Sequence, residues 1–139
     1  MKDDSCIFCK LANGEISTNT LYENERFRVI LDASPAAEGH ALVIPKEHFA
    51  NAFEIDDETV AEAAQIAKKV ALKMKDVLKP DGINILQNNG EAAGQTVFHY
   101  HIHVIPRYVG DDKDVSITWK QNEFTEEEME NIRESLKLE

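Results

Sequence analysis

Hydrophobic and polar residues alternate along much of this chain in patterns that predict strands. Residues 21–31 are typical of a hairpin, in which Asn24-Glu25 forms the turn and every second residue from Phe27 to Leu31 is apolar. Residues 41–45 are almost entirely apolar and predict a further strand. Residues 83–87 and 97–105 are the last two predicted strands, and we expect them to pair as antiparallel neighbours.

The spacing of apolar residues predicts two helices in the first part of the chain. Ser5 is a suitable N-cap for a short helix that presents Cys6 and Cys9 on one face and ends at Asn13-Gly14. A long helix is predicted from about residue 57 to residue 79, where Pro80-Asp81-Gly82 ends it. Its apolar face comprises Val60, Ala63, Ala64, Ala67, Val70, Ala71, Met74, Val77 and Leu78.

A final amphipathic helix is predicted near the end of the chain. Thr125 and Glu128 have the spacing of a capping box, and Phe124 and Met129 have the spacing of a hydrophobic staple. Ile132 and Leu136 continue the apolar stripe.

The order of these elements indicates the fold class. Strands precede and follow one long helix, which favours an α+β domain with an antiparallel meander sheet, a long central helix and short terminal helices. The 139 residues contain no internal repeat or linker and suit one hydrophobic core, so a single domain over residues 1–139 is predicted.

Composition narrows the range of partners. The sequence is 42% hydrophobic and 29% charged, and no apolar run approaches the roughly 20 residues of a membrane span. The formal net charge of −11 and the absence of a basic stripe argue against a nucleic-acid polymer as partner. The first residues lack the features of a signal peptide, so we expect a cytoplasmic protein that contacts no membrane.

Three of the five histidines are spaced two residues apart, at His99, His101 and His103. On a strand this period places all three imidazoles on one face, opposite Tyr100 and Ile102. At about 3.3 Å per residue the outer two lie roughly 13 Å apart, too far for one zinc ion whose nitrogen ligands lie about 2.1 Å away. At least one imidazole therefore remains free as a nucleophile or proton carrier.

The two cysteines, Cys6 and Cys9, supply half of a tetrahedral zinc site, which histidine would have to complete. A redox dithiol is the main alternative, although such a pair normally follows a strand in a βαβ unit. Two plain buried thiols are a third possibility.

The segment before the histidines, residues 88–96, is polar at both ends and contains glycines that allow close approach to a phosphate. An ordinary turn between two strands would have the same composition.

The run His99-Tyr100-His101-Ile102-His103-Val104-Ile105 resembles the signature of the histidine triad superfamily of nucleotide hydrolases and transferases. Residues 32–35, 39–48 and 94–97, together with Asn88, support the resemblance over about residues 6–107. It is closest to the small bacterial branch that carries an N-terminal Cys-x-x-Cys. The resemblance implies an α+β meander sheet, a homodimer and a purine nucleotide or nucleotide-derived ligand; residues 108–139 are a C-terminal extension.

The resemblance also implies roles for individual residues. His101 would attack the α-phosphorus, and His103 would contact phosphate and help to protonate the leaving group. Asp32 would accept both ribose hydroxyls. His40 and residues of the loop would hold the phosphate, namely His40, Asn88, Gly94, Gln95 and Thr96. Apolar side chains would hold the base, namely Ile7, Phe8, Leu11, Ile30 and Leu31. A structural zinc ion would be bound by Cys6, Cys9, His48 and His99.

Three functions remain open at this point. The leading hypothesis is cleavage at the α-phosphate of a nucleoside phosphoramidate, nucleotidyl anhydride or dinucleoside polyphosphate through a nucleotidyl-histidine intermediate. A zinc hydrolase could instead use His99 and His101 as ligands and a bound water as nucleophile. A nucleotide-binding module without catalytic activity is the third hypothesis.

Overall fold

A computed structural model describes residues 1–110 and 119–138 of the chain. In chain order the elements are α1 (Ile7–Ala12), β1 (Thr20–Glu23), β2 (Phe27–Leu31), β3 (Ala41–Pro45), α2 (Asp57–Leu78), β4 (Gly82–Leu86), a 3₁₀ turn (Glu91–Ala93), β5 (Ile102–Arg107) and α3 (Glu126–Leu136). Among these residues, no helix combines the length and the apolar character needed to cross a membrane.

The five strands form one sheet in the order β1-β2-β3-β5-β4, and every neighbouring pair is antiparallel. The predicted α+β class with an antiparallel sheet and a long central helix is therefore confirmed. Leu42 of β3 and Leu86 of β4 both pair with His103, which lies on β5 between those two strands.

The predicted hairpin is confirmed as β1 and β2. Its turn is held by Asn24, whose Oδ1 accepts hydrogen bonds from the backbone amides of Arg26 (2.9 Å) and Phe27 (2.8 Å). An asparagine side chain that bonds to the backbone two and three residues ahead stabilises a tight turn.

Helix α2 begins and ends close to the predicted limits. The Asp56 side chain caps its N-terminus by accepting from the Thr59 amide, and Lys79 ends it in the left-handed region at φ 50°. The predicted apolar face is correct at Ala63, Ala67 and Met74, which are buried, whereas Ala64 and Val77 are exposed.

The two faces of the sheet have separate cores. On one face, α2 packs against alternate strand residues such as Phe27, Val29 and Val43. On the other face, the much shorter α1 covers Ile30, Leu42 and Ile44. The second face carries the smaller of the two cores.

The strand predicted over residues 97–105 is shorter than expected at its start, because β5 begins only at Ile102. Before that point the chain turns toward the segment that follows β3, where the Tyr100 amide donates to the Phe49 carbonyl at 2.6 Å. Only His103 lies within the strand, but the predicted alternation of faces holds. Tyr100 and Ile102 belong to the core on the α2 face, whereas Phe8 of α1 lies against the rings of His99 and His101, and His101 lies against His103.

The first and last helices differ in how well the sequence predicted their N-caps. The N-cap of α1 is Cys6, whereas Ser5 bonds to Asp3 Oδ1 at 2.7 Å, so the predicted cap was wrong by one residue. The capping box of Thr125 and Glu128 is confirmed at the start of α3. No residue of α3 is buried.

Candidate active site and metal centre

Four side chains predicted to bind metal converge at the N-terminus of α1. Sγ of Cys6 and Sγ of Cys9 lie 3.3 and 3.4 Å from Nδ1 of His99. Nδ1 of His48 lies 3.4 Å from Cys9 Sγ and 3.2 Å from His99 Nδ1. One ligand atom of each of the four residues lies within 4.8 Å of all the others.

Hydrogen bonds prepare these atoms as ligands. His99 is fully buried, and its Nε2–H donates to the Pro45 carbonyl at 2.8 Å, which leaves the Nδ1 lone pair directed at the thiols. The backbone amide of Cys9 donates to Cys6 Sγ, and that of Asp3 donates to Cys9 Sγ, both at 3.3 Å. Amide donors of this kind stabilise thiolate sulfur.

The pKa values in this cluster follow from burial. Desolvation lowers the pKa of His99 to about 4, so its ring is neutral at pH 7, as a metal ligand must be. Desolvation also raises the pKa of the Cys9 thiol. A bound cation would reverse the shift at sulfur, because it stabilises the thiolate.

The donor set fits zinc. Two sulfur and two imidazole ligands at about 2.3 and 2.1 Å from a tetrahedral ion would lie about 3.4 to 3.8 Å from one another. The closest separations found here, 3.2 to 3.4 Å, are slightly shorter than these edges. The residues present are therefore suited to one structural zinc ion.

His101 lies between this cluster and the open side of the sheet. Its Nδ1–H donates to the His99 carbonyl at 2.6 Å, so the lone pair of the neutral ring is on Nε2. The rings of Phe8 and His103 both approach it with centroids 4.9 Å away. The side chain is 8% exposed, and desolvation lowers its pKa. These features describe a fixed, uncharged imidazole with its basic nitrogen free.

His40 and His103 form a second hydrogen-bonded pair, with His40 Nε2 2.9 Å from His103 Nδ1. The backbone amide of Ala36 donates to His40 Nδ1 at 2.9 Å, so the proton of neutral His40 resides on Nε2. His40 therefore donates to His103 Nδ1, and the ring proton of His103 is on Nε2. The sequence alone gave no signal for this relay, because it joins residues 63 positions apart.

The charge of this pair is also set by its surroundings. Desolvation lowers the pKa of His40, and desolvation together with His101 and His40 lowers the pKa of His103 to about 4. Asp32 opposes both shifts, and its Oδ2 lies 3.5 Å from His40 Nε2. Both rings are neutral at pH 7.

Asp32, His40 and His103 are close enough to hold a second metal ion. A metal on His40 Nε2 would require the ring proton on Nδ1, where the Ala36 amide already donates. Both nitrogens cannot act as acceptors in a neutral ring. The hydrogen bonds thus favour the histidine relay over a metal at this position.

The residues expected to contact a base are divided between the two faces of the sheet. Phe8, Leu11 and Ile30 lie together on the α1 face, next to His101. Ile7 is 52% exposed on α1. Leu31 points to the opposite face and lines a groove with α2, because successive strand residues alternate in direction. Its predicted place among the base contacts is wrong for this reason.

The loop of residues 88–96 follows β4, which ends opposite His103. Gly94 has φ 95°, and a Cβ there would meet the Asn88 side chain at 3.6 Å. Thr96 is exposed, whereas Gln95 is 2% exposed. Among the loop residues predicted to contact phosphate, Asn88, Gly94 and Thr96 are thus accessible to solvent and Gln95 is not.

Gln95 connects the loop to the metal-binding segment. Its Nε2 donates to the carbonyls of Ala50 and Val97, and its Oε1 accepts from the Gly90 amide and from Asn51 Nδ2. With these bonds the Gln95 side chain has no polar atom left for a phosphate. Asn51, which is 8% exposed, and Gln95 form a hydrogen-bonded pair that we call the Asn51–Gln95 brace. No sequence pattern predicted a role for Asn51.

Comparison with known sequences gives matches along most of the chain. Residues 13–110 match the HIT domain family. Protein hit of Bacillus subtilis (strain 168) is 42% identical over 135 residues, which cover 96% of this chain and 92% of that protein. Adenosine 5'-monophosphoramidase hnt1 of Schizosaccharomyces pombe is 38% identical over 132 residues, covering 95% of this chain and 96% of that protein.

Solved structures agree with these sequence matches. The crystal structure of a HIT family protein from Bacillus anthracis superposes with a TM-score of 0.88 at 42% identity, covering 96% of this chain and 95% of that chain. A Zn-bound histidine triad family protein from Mycobacterium smegmatis gives a TM-score of 0.74 at 39% identity, with 95% and 93% coverage.

Proposed function

The chain belongs to the histidine triad (HIT) family, and from this membership we propose that it is a nucleotide hydrolase that cleaves bonds at an α-phosphate. The substrate class is a nucleoside phosphoramidate, nucleotidyl anhydride or dinucleoside polyphosphate, and the product is a nucleoside monophosphate. The adenosine 5'-monophosphoramidase activity in the name of the fission-yeast relative supports this class.

The observation that carries the proposal is the fixed tautomer of His101. Because the His99 carbonyl accepts the Nδ1 proton at 2.6 Å, Nε2 presents a lone pair without any prior deprotonation. In the first step Nε2 forms a bond to the α-phosphorus, and the leaving group departs with the electron pair of its former bond. The nucleotide is then covalently attached to His101, which keeps its Nδ1 proton and carries the positive charge.

His103 supports this step as a hydrogen-bond donor. The relay from Ala36 through His40 leaves a proton on His103 Nε2, which can donate to a phosphate oxygen or to the departing atom. The same relay makes full protonation of His103 unfavourable, so the leaving group takes its proton from solvent. In the second step water attacks the phosphorus, releases its proton to solvent and restores the neutral His101.

The remaining contacts of the nucleotide follow from the shape of the site. Asp32 lies beside the histidines, and its carboxylate suits the two hydroxyls of a ribose. Phe8, Leu11 and Ile30 offer an apolar surface for a purine. Phosphate oxygens would be held by Asn88, by the Gly94 and Gln95 backbone amides and by Thr96. Gln95 acts through its backbone because its side chain is already engaged.

Zinc has a structural part in this proposal. Cys6, Cys9, His48 and His99 would hold the ion, whose binding would tie α1 to the segments on both sides of the site. His101 is directed away from these ligands by its bond to the His99 carbonyl, which argues against a zinc-bound water activated between His99 and His101. We further propose a homodimer in the cytoplasm, where both free thiols remain reduced.

The test is hydrolysis by the purified protein of an adenosine phosphoramidate, with diadenosine polyphosphates and an aminoacyl adenylate compared in parallel. Release of AMP that depends on His101 supports the proposal. Activity that is lost on chelation and restored by zinc while folding is unchanged would favour the zinc-water mechanism. Nucleotide binding without turnover of any of these substrates would indicate a binding module.

A further inference from the structure

The side chain of Gln95 has four hydrogen-bond partners, which is every position that an amide group offers. Its Nε2 donates to the carbonyls of Ala50 at 2.7 Å and of Val97 at 3.1 Å. Its Oε1 accepts from the backbone amide of Gly90 at 2.8 Å and from Asn51 Nδ2 at 3.2 Å. Because Gln95 is also 2% exposed, its side chain is held in one orientation and is closed to a ligand.

These bonds attach the loop of residues 88–96 to the segment of residues 50–52. Asn89 makes a second attachment, since its Oδ1 accepts from the Ala52 amide at 2.7 Å and from Gln87 Nε2 at 2.7 Å. One attachment lies near the start of the loop and the other near its end. The loop is therefore fixed to the same short segment at two points.

Asn51 decides which way round the Gln95 amide is held. Its Oδ1 accepts from the Phe53 amide at 3.1 Å, so its Nδ2 is the group that faces Gln95. A donor in this place requires an acceptor opposite, which is Gln95 Oε1, and Nε2 of the same amide then faces the two carbonyls. Asn51 thus orients Gln95.

Asn88 is the loop residue that lies nearest in register to the catalytic histidines. Leu86, the last residue of β4, pairs with His103. Carried two residues further, the same antiparallel register brings Asn88 level with His101 and on the same side of the sheet. Gly94 adjoins Asn88, because a Cβ on Gly94 would lie 3.6 Å from Asn88 Nδ2. Gly94 directly precedes the braced glutamine, so the brace holds the loop next to Asn88.

A polar brace does more here than fill space. Burying two amide side chains costs free energy that their hydrogen bonds largely offset, so an apolar pair could pack this site with similar stability. Apolar contacts have little directionality, whereas hydrogen bonds of defined length and angle hold the loop in one place. A phosphate that meets a loop already held in place does not have to order it on binding.

We propose that Gln95 and Asn51 are positioning residues, which hold the loop so that Asn88 and Thr96 meet a phosphate beside His101. The proposal rests on the proposed function, because it assumes that a nucleotide binds at the histidine site. Neither brace side chain touches the substrate. Their effect falls on the phosphate and not on the nucleoside, whose proposed contacts lie outside this loop.

Affinities for AMP and adenosine test the brace, because the two ligands differ only in the phosphate. Calorimetry on the full chain gives both dissociation constants for wild type, Gln95→Met and Asn51→Ala, and elemental analysis confirms equal zinc content. Gln95→Met removes all four bonds at similar volume, and Asn51→Ala removes one of them. Gln65→Met, the same substitution at an exposed position of α2, is the matched control.

Gln95→Met should weaken AMP binding about tenfold or more and adenosine binding less than twofold. Asn51→Ala should weaken AMP binding about threefold with adenosine unchanged, and it decides alone should Gln95→Met fail to fold. Gln65→Met should change neither affinity. Equal losses for both ligands would show that the brace only stabilises the fold, and unchanged AMP affinity would show that it does not position the loop; either result overturns the proposal. Wild-type protein that binds AMP no better than adenosine would instead refute the phosphate site of the proposed function, and the role of the brace with it.

Discussion

The carbonyl oxygen of His99 lies 2.6 Å from Nδ1 of His101, so one residue contributes its ring to the metal cluster and its backbone to the candidate nucleophile. The position of the His99 backbone depends on how its ring is held. Order in the metal cluster is therefore expected to affect the orientation of His101, although the metal takes no part in the proposed chemistry.

Replacing Cys6 with serine should expose this dependence. We expect zinc content well below one ion per chain, a lower melting temperature and a reduced kcat with some activity remaining, because the binding energy of zinc contributes to folding. Ser5→Ala, next to the ligand and exposed, is the control and should retain zinc. Elemental analysis together with thermal unfolding measures both effects. Full zinc occupancy after replacement of both cysteines would refute the assigned ligands.

His40 should act through His103 and not on the substrate itself. His40→Leu removes the donor that fixes the His103 tautomer, and we expect kcat to fall about tenfold to a hundredfold with a smaller change in KM, the cost of a lost buried hydrogen bond. His40→Gln keeps an N–H group at this position and should restore part of the loss. Steady-state kinetics of both variants provide the test. Equal losses in both would mean that the donated proton is unimportant.

Asp32 should make nucleotide affinity depend on whether the sugar is ribose or deoxyribose. Asp32→Ala is expected to weaken the binding of ribonucleotides by about 1.5–3 kcal/mol, the value of hydrogen bonds to a charged group. Deoxyribonucleotides, which lack one hydroxyl, should lose less. Dissociation constants for AMP and dAMP, measured by calorimetry on wild type and variant, give the comparison. If both sugars lose the same affinity, Asp32 does not bind the ribose hydroxyls.

Acid should destabilise the fold through its buried histidines. The folded-state pKa of His103 is about 4, below the value of about 6.5 for an unfolded chain. Between these values the unfolded chain binds more protons, so the contribution to stability is present above pH 6.5 and is lost as the pH falls toward 4. His103→Gln should lose less stability than wild type between pH 7 and pH 5, by a difference on the order of 1 kcal/mol.

Urea unfolding of wild type and His103→Gln at pH 7 and pH 5 measures this difference. Zinc release at the lower pH reduces the stability of both proteins equally, so it cancels when the two are compared. Identical pH dependence would show that His103 does not titrate as its burial predicts.

The sequence predicted the sheet and the metal cluster better than the hydrogen bonds between them. Periodicity identified the β2 and α2 segments because their apolar residues recur at strand and helix spacing, and β3 was identified as a continuous apolar run, all of which is buried. It placed residues 97–101 in a strand, since it contains no information on the Tyr100–Phe49 bond that bends the chain there. It also missed the Ala36–His40–His103 relay and the Asn51–Gln95 brace, which arise from tertiary contacts across 44 to 63 positions.

The side chain of Leu31 points to the side of the sheet opposite to the one expected. Resemblance placed this residue beside Ile30 in a base pocket, but neighbours on a strand point to opposite sides of the sheet. Its side chain instead lines the groove with α2. Resemblance thus located the segment that carries the site, and only the strand geometry decided which of its residues face the ligand.

His101 should act as a covalent catalyst. His101→Ala should lower kcat by several orders of magnitude, as loss of a nucleophile does, while nucleotide affinity stays within about tenfold. After a rapid alkaline quench, a substrate labelled at the α-phosphate should leave label on wild-type protein and none on the variant. Alkali is used because a phosphorus–imidazole bond is labile to acid.

The stereochemical course at phosphorus is the most direct measurement, because it needs no trapped intermediate. A nucleotide substrate made chiral at the α-phosphorus is hydrolysed in isotopically labelled water under single-turnover conditions, and the configuration of the product is determined by ³¹P NMR. Two successive in-line displacements, the first by His101 and the second by water, predict overall retention of configuration. Inversion would mean that water attacks the substrate directly and would contradict the nucleotidyl-histidine mechanism.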